Sequence, residues 1–386
     1  MSMIIALLLL QTEATIPQDN QTIIVTARRS QEILAECLAR ACPPAEEIEA
    51  ALDAGVDHFR AGNYRQAKAV LARAVTRNRR HAASLPEPVS TLLATYADVA
   101  RQDGDVRIFR HATRESVTIL REHRGENSLT ALHAGRRIGD SLVVLGQLRS
   151  ADDAYTSLQA RALAAGYPMI AADIAFQRAQ LAINMNRFDQ ALRLTNEGQA
   201  LAGVENRSAR ARADVLRTRV ATGRGDTAAV DRLLATLRAA PGTRPILVFA
   251  PPFPDLGEGG PETRPQGVDS STLLSLTGPL NNPLSLNNSV DWVDIGFWIR
   301  PDGSAADAAI LRGSTRGEWA RPLLRQIAQR RYSRTEDQAD GSGFYRVERY
   351  SLRAPITLDR SGSRIAGRAG PRTLEVVDLS SFEDGS

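Results

Sequence analysis

Five stretches between residues 45 and 240 share one pattern, and that pattern leaves few folds open. AGNYRQAKAVLARAV, GDVRIFRHATRESVTIL, GQLRSADDAYTSLQARAL, NRFDQALRLTNEGQAL and GRGDTAAVDRLLATL each contain a small residue placed to pack inside a helix. Aligned on Ala67, Ala112, Ala154, Ala191 and Ala228, the units stand 45, 42, 37 and 37 residues apart, a spacing that suits two helices per unit. One helix pair cannot bury its apolar stripe alone. Neighbouring pairs must therefore stack, and stacking with a small rotation builds a curved solenoid.

GNYRQA and NRFDQA resemble the turn and second-helix start of tetratricopeptide repeats. Gly55, Phe59, Tyr64, Ala67, Leu71 and Ala74 match that family's packing positions in the first repeat, and REHRGENSLTALHAGRRIGDSLVVLGQ is similar to the kinesin-light-chain variety. The resemblance implies a concave face that takes peptides or partner proteins. Arg136, Arg137 and Arg178 are candidates to line it, although solvated arginine is the ordinary case on a repeat surface. The competing reading is a scaffold that only spaces a C-terminal domain.

Residues 290–353 carry a different period. Val293, Ile295, Phe297 and Ile299 alternate with Trp292, Asp294, Gly296 and Trp298, the signature of a strand with two unlike faces. Pro301-Asp302-Gly303 supplies a turn, and Ala306, Ala308 and Ile310 alternate on a second strand. Trp319, Leu323 and Ile327 form one stripe of a helix over residues 318–330, and Tyr345 to Arg353 returns as a third strand. The order of strand, turn, strand, helix and strand resembles the C-terminal domain of TonB-type energy transducers. It is carried by WVDIGFWIRPDG, AAILRGS, IAQRRY and YRVERYSLRA. The expected fold class is thus an all-α tetratricopeptide-like solenoid followed by a small α+β domain over residues 290–355. The resemblance implies that an extended receptor segment adds as a strand to the sheet edge, since an exposed edge offers unpaired N–H and C=O groups. On this reading Tyr345, Arg346, Val347, Glu348, Arg349, Tyr350 and Leu352 bind the partner.

The N-terminus bears on where such a protein works. Met3 to Leu10 is an unbroken apolar run, far short of the roughly 20 residues that span a bilayer. It reads as the core of a signal peptide over residues 1–14, with cleavage near Ala14, which places the chain in the periplasm. The alternative is an uncleaved segment that anchors a working transducer in the inner membrane. Residues 15–44 are expected to be extended. Within them DNQTIIVTARRSQE resembles the segment by which TonB-dependent receptors are captured, and Thr22, Ile23, Ile24, Val25, Thr26 and Ala27 form the candidate ligand string. Cys37 and Cys42 are candidates for a disulfide in an oxidising compartment. Along one ideal helix they would stand roughly 8 Å apart, beyond the bridgeable span, so the helix must end between them.

Composition excludes several functions. A formal charge of +4, from 48 basic against 44 acidic residues, gives little drive toward nucleic acid. His58, His81, His111, His123 and His133 lack ligand spacing, and no phosphate loop, nucleophile elbow or dinucleotide fingerprint is present. No catalytic residue, metal site or cofactor is expected. Residues 241–289 read as a linker in which RPILVFAPPF is a short strand, and Thr373 to Leu379 is a candidate strand in the tail over residues 356–386. Together these readings describe a periplasmic, non-catalytic adaptor for protein or peptide partners, with TonB-dependent receptors among the candidates. An anchored energy transducer and a periplasmic scaffold for envelope assembly are the alternatives.

Overall fold

Repeated turns, rather than repeated alanines, set the register of the solenoid. The computed structural model describes residues 20–203, 205–226, 228–238, 245–254, 290–314, 317–334, 343–358, 366–368 and 372–380. Eleven helices come first: α1 Asn20–Ala39, α2 Pro44–Arg60, α3 Tyr64–Asn78, α4 Pro86–Gln102, α5 Val106–Arg124, α6 Leu129–Val144, α7 Leu148–Ala164, α8 Pro168–Asn184, α9 Phe188–Ala202, α10 Arg207–Gly223 and α11 Ala229–Arg238. From α2 onward they form antiparallel pairs. Each pair turns through one left-handed residue, namely Gly62, Gly104, Gly146, Asn186 and Gly225, spaced 42, 42, 40 and 39 residues apart.

Five residues after the first four of these turns stand Ala67, Phe109, Ala151 and Ala191, all buried where paired helices touch. Ala154 is only half-buried and Ala228 is exposed, so the alanine alignment is corrected in the third and fifth units. The cause is geometric: Ala151 and Ala154 stand about 60° apart around the helix, and Ala154 lies at the margin of the contact that Ala151 fills. In the second unit Ala112 is buried as expected, one turn beyond Phe109. The first repeat packs at the expected positions. Phe59, Tyr64, Ala67, Leu71 and Ala74 are buried, and a Cβ on Gly55 would stand 2.7 Å from the Leu71 side chain.

Two expectations for the N-terminal region meet the structure differently. Thr22 to Ala27 are helical, within α1, where an extended segment was expected. The Ala, Arg, Gln, Glu and Leu residues after them are strong helix formers, and a growing helix runs over β-branched residues at a few tenths of a kcal/mol each. Cys37 and Cys42 are bonded, with Cα atoms 5.1 Å apart, and α1 ends at Ala39 between them. The apolar run Met3–Leu10, the proposed cleavage near Ala14, residues 255–289 and the last six residues lie outside the described residues.

The C-terminal part contains β1 Leu247–Phe249, β2 Asp291–Ile299, β3 Ala305–Gly313, α12 Arg321–Ala328, β4 Arg331–Tyr332, β5 Phe344–Arg353, β6 Ile356–Leu358, β7 Ala366–Arg368 and β8 Thr373–Asp378. Strand, turn, strand, helix and strand occur in the expected order. Gly303 closes the turn with φ 85°, and its amide donates to Arg300 O at 2.8 Å. The main sheet runs β3-β2-β5-β8 and is antiparallel throughout. Val293, Ile295, Phe297 and Ile299 face Leu323 and Ile327 to form its core. Trp292 joins the opposite side, in the core shared with the first two repeats.

That sheet overturns the expected binding edge. β5 pairs with β2 along its length, and β8 takes its other side from Glu348↔Asp378 to Arg353↔Thr373. A further backbone bond, Leu379 N to Val347 O at 2.8 Å, extends the cover. The tail strand thus belongs to the sheet, and the domain does not stop at residue 355. The physical reason is the one that suggested the edge at first: unpaired backbone groups need partners, and the chain supplies its own.

Candidate protein-binding surfaces

Of the seven residues expected on the sheet edge, Arg349 builds an internal joint with the solenoid instead. Arg349 is fully buried, with Nε 2.6 Å from Asp294 Oδ1 and Nη2 2.8 Å from Asp294 Oδ2. The same guanidinium donates to the carbonyls of Phe59 and Arg60 at the C-terminal end of α2. It also stacks on the Trp292 ring, 4.0 Å from the centroid. Arg312 reinforces the pair, donating to Asp294 Oδ2 at 2.8 Å and to Arg60 O at 2.9 Å. A helix C-terminus carries orphan carbonyls and partial negative charge, so a guanidinium is a suitable plug.

Arg353 repeats the arrangement one helix pair further on. Its Nε donates to Gln102 O at 2.8 Å at the end of α4, and its Nη2 bonds Glu375 at 2.6 Å. Arg368 donates to both the carbonyl and the carboxylate of Asp103, and the Ile356 amide donates to Gly104 O at 2.9 Å. Residues four apart on a strand share a face, which is why Arg349 and Arg353 reach successive helix ends. Gly62 is required at this joint: its φ is 78°, and a Cβ would stand 2.2 Å from the Trp292 ring.

The remaining edge residues are also engaged. Glu348 is buried, 2.8 Å from Arg330 Nη1, and accepts from the Tyr350 hydroxyl at 2.6 Å. Burial pushes its carboxyl up, but Arg330 and Arg346 outweigh that and hold it below the ordinary glutamate range. Tyr350 and Leu352 are core residues, Val347 packs partly against the solenoid, and Arg346 pairs with Asp378 at 2.8 Å. Of the seven, Tyr345 is exposed, leaning on Trp298 with ring centroids 5.0 Å apart.

A different surface has the attributes of a binding site. The first helices of successive repeats, α4, α6 and α8, line a cleft of about 280 Å³ floored by α5 and α7. Arg137 on α6 donates to Asp98 Oδ2 at 2.7 Å and to Ala94 O at 3.2 Å, while its Nε is buried without a protein partner. Asn184 on α8 accepts from Gln180 at 3.0 Å, but its amide nitrogen is likewise buried and unpartnered. The Thr113 hydroxyl on α5 completes a set of three such donors lining the cleft. Each group left so costs roughly 1–3 kcal/mol, a penalty that a ligand carrying acceptor oxygens would relieve.

Asp140, three residues beyond Arg137 on α6, lines the same cleft. It accepts from the Tyr155 hydroxyl at 2.5 Å and lies 3.7 Å from Arg136. Burial pushes its carboxyl up against the lowering by Tyr155 and the neighbouring arginines. Of the three arginines expected in a groove, Arg137 lines the cleft and Arg136 flanks it through Asp140. Arg178 is instead drawn to Asp152 at 3.0 Å and Gln159 at 2.9 Å. The other lining residues escaped sequence reasoning, although a signal existed. Asp98 and Asp140 each stand six residues ahead of a turn glycine, at equivalent places in adjacent repeats. For metals, one group of potential ligands occurs among the described residues, Cys37, Cys42 and Glu46, and the two sulfurs are bonded to each other.

No family model and no curated protein matches the chain. Among solved structures it is similar to BtubC (BKLC) from P. vanneervenii, with 14% identity and a TM-score of 0.47 over 58% of this chain and 92% of that one. It is also similar to a putative kinesin light chain with tetratricopeptide-like repeats from Podosopora anserina, with 14% identity and a TM-score of 0.42 over 51% and 95% of the two chains. These likenesses are low, and the repeat architecture rests on the turns and helix pairs of the chain itself.

Proposed function

We propose that the protein is a non-catalytic, protein-binding adaptor whose ligand lies in the cleft between α4, α6 and α8. The observation that carries this reading is that three residues lining one cleft each hold a buried side-chain donor without a protein partner, namely Arg137 Nε, Asn184 Nδ2 and the Thr113 hydroxyl. Carbonyl or carboxylate oxygens of an extended peptide satisfy such donors, whereas a ligand without acceptors does not. The apolar walls, including Val144 and Leu181, give a peptide side chain somewhere to bury. A periplasmic location is supported by the Cys37–Cys42 bond, which persists in oxidising compartments, and by the signal-like run Met3–Leu10. An association with TonB-dependent transport has the order of elements in the C-terminal domain as its support; capture of a receptor segment by β5 is not part of the proposal.

Titration of a peptide panel against the wild-type chain, Asn184→Leu and Arg137→Met tests the site. A peptide that uses the cleft should lose about 10- to 100-fold in affinity to either variant, the worth of a hydrogen bond to a buried polar or charged donor. Equal binding by all three chains would move the ligand elsewhere.

A further inference from the structure

The segment between solenoid and sheet is itself seated like a bound peptide. Residues 245–254, PILVFAPPFP in sequence with Arg244 before them, run extended across the C-terminal domain. Leu247 and Phe249 pair antiparallel with Tyr332 and Arg331 of β4. The Ile246 amide donates to Ser333 Oγ at 2.9 Å, and the Ser333 amide returns a bond to Ile246 O at 2.8 Å. Further along, Gln326 of α12 donates to Pro251 O at 2.8 Å. Leu247 and Phe253 are the anchors: both pack against the core formed by β2, β5 and α12, and Phe253 meets the Tyr350 ring edge-on at 6.4 Å.

The opposite side of the same segment holds the last repeat. Val248 is buried with Val215 of α10 and Leu233 of α11, and Arg219 donates to Leu247 O at 3.3 Å. Alternate side chains therefore serve two different bodies, as a strand allows. Few backbone bonds fix the segment. Its prolines lack the donors that would lock it further, and Leu247 and Phe253 add an apolar grip on the domain.

We propose that the groove between α12 and β4 is a peptide-binding site that residues 245–254 fill in cis. In trans it takes an extended, proline-flanked segment with two apolar anchors six residues apart. Entry of such a partner displaces the strap and releases α10 and α11 from the domain, so occupancy of this groove controls whether the solenoid is held at both ends. The site is separate from the α4–α6–α8 cleft, and either can fail without the other.

The probe is a labelled peptide of residues 244–255, titrated against the full chain and against the full chain carrying Leu247→Asp and Phe253→Asp. Tethering gives the strap a high effective concentration, so weakening it should tighten peptide binding by at least about tenfold over wild type. A control peptide with the same two substitutions should not bind. If the variant loses its far-UV spectrum, the wild-type chain answers the question by hydrogen exchange. Millimolar peptide should then strip protection from the chain's own Ile246 amide, which the mass of the peptide distinguishes from the probe. No tightening in a folded variant, or unchanged Ile246 exchange, overturns the proposal.

Discussion

The C-terminal domain is fastened to the solenoid at two places by opposite means. At the first two repeats the joint is built of guanidinium groups: Arg349 and Arg353 plug the ends of α2 and α4, each paired to a buried carboxylate. At the last repeat it is one strand, Leu247–Phe249, gripped by apolar contacts and a few backbone bonds. Buried ion pairs are poor sources of net stability but costly to half-break, because removing one partner strands the other in a low dielectric. Apolar straps behave otherwise: another chain of similar chemistry can replace them at little net cost. The first joint thus fixes a geometry, and the second can be exchanged.

Breaking the first joint should have the largest effect. Arg349→Met leaves Asp294 and two helix carbonyls without their main donor, and should destabilise the chain by about 3–5 kcal/mol in urea or guanidinium denaturation. Arg349→Lys should recover only part of this, since a point charge cannot reproduce two planar contacts while stacking on Trp292. A loss below about 1 kcal/mol for Arg349→Met would mean that Arg312 alone carries the joint.

A pair of glycine substitutions sharpens the comparison. Gly62 and Gly146 turn repeats with φ of 78° and 72°, but a Cβ on Gly62 would meet Trp292 whereas one on Gly146 would meet nothing within 4 Å. Gly146→Ala should therefore cost only the left-handed strain, about 1–2 kcal/mol. Gly62→Ala should cost that plus displacement of the docked ring, at least about 1 kcal/mol more. Equal melting shifts would show that the sheet does not press on the Gly62 turn.

Acid should loosen the same domain with a definite sign. The Glu348 carboxyl is held below its ordinary value, so its contribution is complete above the unfolded value near about pH 4.3 and is lost as pH falls through the lower folded value. Comparing denaturation midpoints of wild type and Glu348→Gln from pH 7 to 2 checks this. The gap between them should narrow below about pH 4 and stay constant above about pH 5.5.

The solenoid was legible because its helices repeat at 3.6 residues with small residues at the contacts, a local signal. Its register was less so, since aligning on alanine identity chose Ala154 over Ala151, whereas the glycine turns keep a regular spacing. The order of β2, turn, β3, α12 and β5 could likewise be read from alternation. What could not be read was the partner of each surface. Arg349 bonds carbonyls 290 and 289 residues away, and Arg353 one 251 residues away, so nothing local distinguishes them from solvated arginine. β8 was visible as a strand, but its pairing with β5 was not, because short-range pattern does not specify which edge a strand covers. The cleft was half legible: Arg137 was singled out, but the place of Asn184 and Thr113 in its lining depends on how the helices rotate about one another.

Native-state hydrogen exchange on the whole chain tests the two-joint account most directly. Amides of β5 between Glu348 and Arg353, paired on both sides, should exchange only through global unfolding. The Ile246 and Ser333 amides, which tie the strap to the domain, should exchange through a smaller opening at lower free energy, with α10 and α11 loosened in the same step. Strap amides as slow as those of β5 would contradict the account, as would β5 amides exchanging freely from an open edge.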